Sequence, residues 1–160
     1  MDGLILLSLG SNVGERQAHL KEAIARLSKV GRILAVSSFY ETEPVEYADQ
    51  PWFLNCAVAL ETRLAPTGVM KEALEVERGM GRERTLDKGP RIIDIDILLA
   101  GTTVLESPVL TVPHPAMHQR RFVLEPLAEI APNASHPILQ KTVLELLAEL
   151  PEGQLVRRVG

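Results

Sequence analysis

The run Pro90-Arg91-Ile92-Ile93-Asp94-Ile95-Asp96-Ile97 constrains this chain more than any other stretch. Isoleucine branches at Cβ and suits a pleated strand, whose side chains alternate between two faces. Ile93, Ile95 and Ile97 therefore turn to one side, and Asp94 and Asp96 share the other. Neighbouring acids repel each other, and each resists burial without a partner. A divalent cation relieves both difficulties. Alternate Cα atoms of a strand lie roughly 6.5–7 Å apart, so leaning carboxylates can bracket one ion or share a pair. The plainer alternative is an edge strand whose polar face is simply wet.

Length sets the frame for that strand. At 160 residues, positions 1–160 read as a single domain with enough chain to bury a core. Hydrophobic residues make up 46% and charged residues 24%, which separates it from disordered sequences. The one cysteine, Cys56, can form no internal disulfide, and a reducing cytoplasm is expected. Met1-Asp2-Gly3 lacks a basic leader, and the apolar run Leu4 to Leu9 is too short for a signal core or a membrane span. A net charge of -4 argues against general nucleic-acid binding. From Arg78 to Arg91, however, five basic residues (Arg78, Arg82, Arg84, Lys88, Arg91) face two acids (Glu83, Asp87). On an acidic protein that excess suggests a compact anionic ligand.

Periodicity gives an order of elements. Leu4 to Leu9 reads as a buried strand closed by Gly10-Ser11-Asn12, and a helix follows from about Glu15 to Lys29, with Gly31 as its stop. Ile33 to Tyr40 is expected as a second strand and Phe53 to Glu61 as a third. Pro66 opens a second helix that runs to the Gly79/Gly81 break, and Ile92 to Leu99 is the fourth strand. The expected class is α+β: a ferredoxin-like βαββαβ antiparallel sheet with helices on one face. Further C-terminal helices are expected near Phe122 to Ile130 and Thr142 to Leu150, with a short final strand at Leu155 to Arg158.

Chemistry gathers around the acidic strand. The loop from Gly79 to Pro90 joins glycines to arginines that could clamp phosphate oxygens two at a time, though alone it could be a solvated loop. It is expected to be mobile by itself and ordered once its ligands are bound. Metal-holding acids beside phosphate-holding arginines are what phosphoryl-type transfer needs. Phe53 and Asn55 sit two apart on one strand face. Phe53 could simply pack the core, but Asn55 needs a hydrogen-bond partner, and the edge of a flat heterocycle would supply one. His114 stands between Pro113 and Pro115, where a lone histidine is more often structural or idle. There is no Walker loop, no nucleophile elbow and no zinc spacing of Cys and His.

A wider set of residues carries a resemblance. It comprises Gly10-Ser11-Asn12, Ser37-Ser38-Phe39-Tyr40-Glu41-Thr42 with Pro44, Phe53-Leu54-Asn55, Glu77-Arg78, Gly81-Arg82, Gly89-Pro90-Arg91, Asp94-Ile95-Asp96, Val112-Pro113-His114, and Arg120 with Phe122. In this order the set resembles the 6-hydroxymethyl-7,8-dihydropterin pyrophosphokinases of the folate pathway, which move pyrophosphate from ATP to a pterin alcohol. The likeness runs from the first strand to about Pro132. It implies that Asp94 and Asp96 hold two Mg²⁺ ions and that Glu77, Arg82, Arg91, His114 and Arg120 contact ATP. Arg82 and Arg91 would also act in catalysis. Thr42, Pro44, Phe53, Asn55 and Phe122 would hold the pterin, the two rings stacking on it.

The expected partners are thus two small molecules, with neither nucleic acid nor membrane, and the expected state is a monomer. Two other classes fit less well. A palm-like nucleotidyl transferase would want a basic groove for a template, and a non-catalytic sensor has no use for paired acids beside arginines.

Overall fold

The computed structural model describes residues 3–43, 52–81, 92–153 and 155–159. Strand β1 (Leu4–Ser11) leads to helix α1 (Arg16–Leu27), then β2 (Arg32–Val36), β3 (Phe39–Thr42), β4 (Phe53–Glu61), helix α2 (Pro66–Gly79) and β5 (Asp94–Ala100). There follow β6 (Leu105–Glu106), β7 (Thr111–Val112), a 3-10 turn at Met117–Gln119, helix α3 (Arg121–Ile130), β8 (Ser135–His136), β9 (Lys141–Thr142), helix α4 (Val143–Ala148) and β10 (Val156–Val159).

The main sheet is antiparallel in the order β10-β3-β4-β1-β5, and β2 pairs with the far half of β4. Strand alternation divides the core into two layers. Ile5, Leu7 and Leu9 of β1, Cys56, Val58 and Leu60 of β4, and Ile95 and Ile97 of β5 pack with Leu20, Ala23 and Leu27 of α1 and Val69, Ala73 and Val76 of α2. Those helical positions recur at three- and four-residue spacing, so each helix buries one stripe. Pro66 at the start of α2 lacks only an N–H that would have no helical partner there. On the opposite face Leu6, Ala57, Ala59 and Leu98 pack with Val123, Leu124 and Leu127 of α3 and Val143 and Leu146 of α4. Thr142 and Glu145 form a capping box that starts α4.

The structure corrects the expected second strand. Ile33 to Tyr40 is not continuous but breaks at Ser37-Ser38 into β2 and β3. Val36 lies opposite Val58 and Tyr40 opposite Asn55, so this chain takes four steps where β4 takes three. The Ser37 hydroxyl occupies the break, accepting from the Ala57 N–H at 2.8 Å, while the Ser37 N–H donates to the Ala57 carbonyl at 2.9 Å. A second irregularity, between Leu6 and Leu7, leaves Leu98 as an extra residue of β5. Its carbonyl accepts the backbone N–H of His114 at 2.9 Å, so the bulge ties the β7–α3 segment to the end of the acidic strand.

Candidate active site

Register places the polar residues. Tyr40 pairs with Asn55, Asn55 with Gly10 and Gly10 with Asp94, a row of four across β3, β4, β1 and β5. Directly paired residues of antiparallel strands share a face. In the flanking rows Thr42 pairs with Phe53, and Ser8 stands between Ala57 and Asp96. Thr42, Phe53, Asn55, Asp94 and Asp96 therefore share one face of the sheet, the face that carries α3. Ile95 and Ile97 lie buried on the other side, as alternation predicts.

The ring-facing end is held by a buried amide. Asn55 is 4% exposed, and its Oδ1 accepts from the Thr42 hydroxyl at 2.8 Å. Its Nδ2 lies over Gly10, where an added Cβ would come within 2.6 Å. Gly10 is present for close approach. Phe53 beside it is half-buried, as is Phe122 at the start of α3. The Arg120 guanidinium sits 5.6 Å from the centre of the Phe122 ring.

The acid-facing end gathers His114 and Arg120 beside Asp94. Burial first, and then the Arg120 charge, push the His114 pKa down to about 4, while Asp94 pulls the other way. The imidazole is thus neutral at pH 7. Its Nδ1 accepts from the Ala116 N–H at 3.1 Å, which puts the proton on Nε2. Glu77 comes from the opposite layer. Its carboxylate is 3% exposed and accepts the Ile95 N–H at 2.8 Å, along the edge of β5 that faces away from β1.

Asp94 and Asp96 are half-buried. Among the described residues no cluster of three or more metal-ligating side chains exists. Two hard carboxylates on one face fit Mg²⁺, which binds through one or two protein acids and takes its remaining ligands from water and phosphates. Cys56 offers no nucleophile, because burial pushes its thiol up to about 12. Pro44, Arg82, Arg84, Lys88 and Arg91 lie outside the described residues, as does most of the Gly79 to Pro90 loop.

Sequence reasoning did not find Glu129. It lies on α3 and accepts from the Tyr40 hydroxyl at 2.6 Å, the Ser38 N–H at 2.9 Å and the Ser38 hydroxyl at 3.1 Å. Burial raises the Glu129 carboxyl, and those three donors outweigh it, leaving its pKa below the usual range. Burial and the same carboxylate push the Tyr40 phenol up to about 12. The contact docks α3, and with it Phe122, over β3. A glutamate late in a short helix carries no sign of this in the sequence.

The paired acids at one end of this sheet face and the amide flanked by a ring at the other stand on an antiparallel sheet with helices packed on both sides, a mixed α and β architecture. Residues 6–132 match the 7,8-dihydro-6-hydroxymethylpterin-pyrophosphokinase (HPPK) family, and the chain belongs to it. The 2-amino-4-hydroxy-6-hydroxymethyldihydropteridine pyrophosphokinase of Bacillus subtilis is 44% identical over 132 residues, covering 81% of this chain and 79% of that one. The folic acid synthesis protein fol1 of Schizosaccharomyces pombe is 44% identical over 147 residues, or 91% of this chain and 20% of the relative. The chain thus spans about a fifth of that longer protein. The Plasmodium falciparum HPPK-DHPS crystal structure with pteroate superposes with a TM-score of 0.72 at 16% identity, over 91% of this chain and 42% of that one, a likeness of fold.

Proposed function

We propose that this protein transfers pyrophosphate from ATP to 6-hydroxymethyl-7,8-dihydropterin, giving AMP and the pterin diphosphate, as a Mg²⁺-dependent diphosphokinase of folate biosynthesis. The observation that carries this reading is the shared face of Asn55 and Asp94, one strand to either side of Gly10. Two strand spacings put them about 10 Å apart. A pterin seated on Asn55 would then point its hydroxymethyl group towards phosphates held at Asp94 and Asp96.

Each residue has a chemical task in this reading. Phe53 and Phe122 stack on the pterin, and the Asn55 amide, oriented by Thr42, bonds the ring's polar edge; Pro44 is the further pterin contact that the family resemblance implies. The Nε2–H of His114 donates to a phosphate oxygen, and Arg120 adds charge beside it. Arg82 and Arg91 grip the transferring group, where planar guanidinium forks are worth most as charge develops. Glu77 lines the nucleotide side by way of the β5 edge. Two Mg²⁺ ions held by Asp94 and Asp96 would neutralise charge on the attacking and leaving oxygens. The hydroxymethyl oxygen bonds to the β-phosphorus as the bond from that phosphorus to the bridging α-phosphate oxygen breaks, AMP leaves with that oxygen, and the hydroxyl proton passes to water. His114, with its pKa pushed down to about 4, is a weak base, and in-line transfer to an alcohol held in place does not demand a strong one.

The sheet order supports a ferredoxin-like plan, with β2 and β3 sharing the place of one strand beside β4, β1 and β5. No helix among the described residues is long and apolar enough to cross a membrane. A cytoplasmic monomer that acts on small molecules, without nucleic acid, fits the acidic composition. Incubating the protein with ATP, Mg²⁺ and the hydroxymethyl pterin and measuring AMP is the direct test. Absence of AMP that depends on the pterin would overturn the reading.

A further inference from the structure

The matched family stretch ends at residue 132, yet the last strand, β10, lies against β3 beside the pterin side of the site. We propose that β10 braces the strand pair carrying Thr42, Phe53 and Asn55, and that Arg157 is its positioning residue; this rests on the pterin-side reading above. β3 has four residues and pairs with β4 at three positions, Tyr40↔Asn55, Glu41↔Leu54 and Thr42↔Phe53. A strand pair that short is marginal by itself. Its other edge is covered by β10 through Val156↔Thr42, Arg157↔Glu41, Arg158↔Tyr40 and Val159↔Phe39. Past the ladder the Glu43 N–H donates to the Leu155 carbonyl at 3.3 Å, and the Leu155 N–H donates to Glu43 Oε1 at 2.9 Å.

Side chains behind the sheet complete the brace. Arg157 Nη2 donates to Glu41 Oε1 at 3.0 Å, and its guanidinium carbon lies 5.4 Å from the centre of the Trp52 ring. The other oxygen of Glu41 accepts from Arg16 Nη2 at 2.9 Å, and Arg16 Nη1 donates to the Trp52 carbonyl at 2.9 Å. Glu41 and Trp52 each precede a site residue, Thr42 and Phe53. Glu41 and Thr42 face opposite ways within β3, and Trp52 leads directly into Phe53 at the start of β4, so anchoring Glu41 and Trp52 constrains how Thr42 and Phe53 stand at the front. Arg157 is 63% exposed, and a lone ion pair at that exposure would weigh little. Here one carboxylate serves two arginines, and one of them also stacks on an indole.

The test compares Arg157→Ala, Arg157→Lys, Glu41→Gln and a chain ending at Gly153 with the parent, in steady-state kinetics at saturating Mg²⁺. Arg157→Ala is expected to raise the KM for the pterin about fivefold, leaving kcat and the KM for ATP within about twofold. Arg157→Lys, which keeps charge without the planar fork, is expected to fall between. Trp52 is the chain's one tryptophan, so its emission reports loss of the stack independently of activity. Altered emission with an unchanged pterin KM would overturn the brace, as would equal losses for both substrates. If the shortened chain does not fold, the point variants decide. Asn55→Ala is run in parallel: if it leaves the pterin KM unchanged, the pterin-side reading itself fails. If Asn55→Ala raises it and Arg157→Ala does not, the brace alone fails.

Discussion

Gly10 and Asn55 face each other across the β1–β4 ladder so closely that a methyl group on Gly10 would lie 2.6 Å from the Asn55 amide nitrogen. The far end of a side chain can usually swing away, but Thr42 holds the other end of this amide at 2.8 Å. Gly10→Ala is therefore expected to cost about 1–3 kcal/mol of stability, as overpacking does. It should weaken pterin binding while ATP binding stays near normal. Calorimetric titration of each ligand, beside a denaturant curve, checks this. A variant with full pterin affinity would mean that Asn55 does not need its present position.

Asp94→Asn and Asp96→Asn should fold nearly as well as the parent, because both acids are half-buried on a polar face and the amide keeps their shape. Turnover should fall by several orders of magnitude in each, since charge stabilisation of phosphoryl transfer is worth several kcal/mol. Single-turnover measurements at saturating Mg²⁺ are the check. Near-normal rates in either variant would remove the acid from the mechanism.

Phe53→Ala and Phe122→Ala are expected to lower pterin affinity more than ATP affinity. A stacked ring face contributes about 1 kcal/mol beyond burial. Phe122 also packs with the α3 layer, so its variant should lose thermal stability that the Phe53 variant keeps. If both ligands weaken equally, the rings pack the core and do nothing more.

Acid should loosen the back and top of the site first. Hydrogen bonds from Arg16 and then Arg157 hold Glu41 below its ordinary value of 4.5. Glu129 also lies below 4.5, its donors outweighing burial. A carboxylate whose folded pKa is depressed stabilises the fold fully above its unfolded value, and that contribution is lost as pH falls through the folded one. Stability should thus be level above about pH 5 and decline below about pH 4.5. In Glu41→Gln that decline should be shallower, with lower stability at pH 7. Melting curves between pH 3 and 7 test this, and an unchanged slope would show that Glu41 gains nothing from its arginines.

Much of this architecture follows from local spacing. The alternation of Ile95 and Ile97 with Asp94 and Asp96 sets the faces of β5, and the apolar stripes Leu20, Ala23, Leu27 and Val69, Ala73, Val76 set those of α1 and α2. These depend on residues within one turn or one pleat, so the sequence alone determines them. The break at Ser37-Ser38 is different. Its residues suit a strand, and only pairing with β4 shows that an extra step must be absorbed there. The site is divided in the same way. The acids, Asn55 and the two phenylalanines stand out as residue types in context, but that Asn55 and Asp94 flank the same glycine depends on which strands become neighbours. Glu129 meets Tyr40 across 89 positions, and Arg157 meets Glu41 across 116. Contacts that distant leave no periodic trace, because the whole core must form before either side chain has a partner. Sequence determined the faces; tertiary packing decided which faces meet.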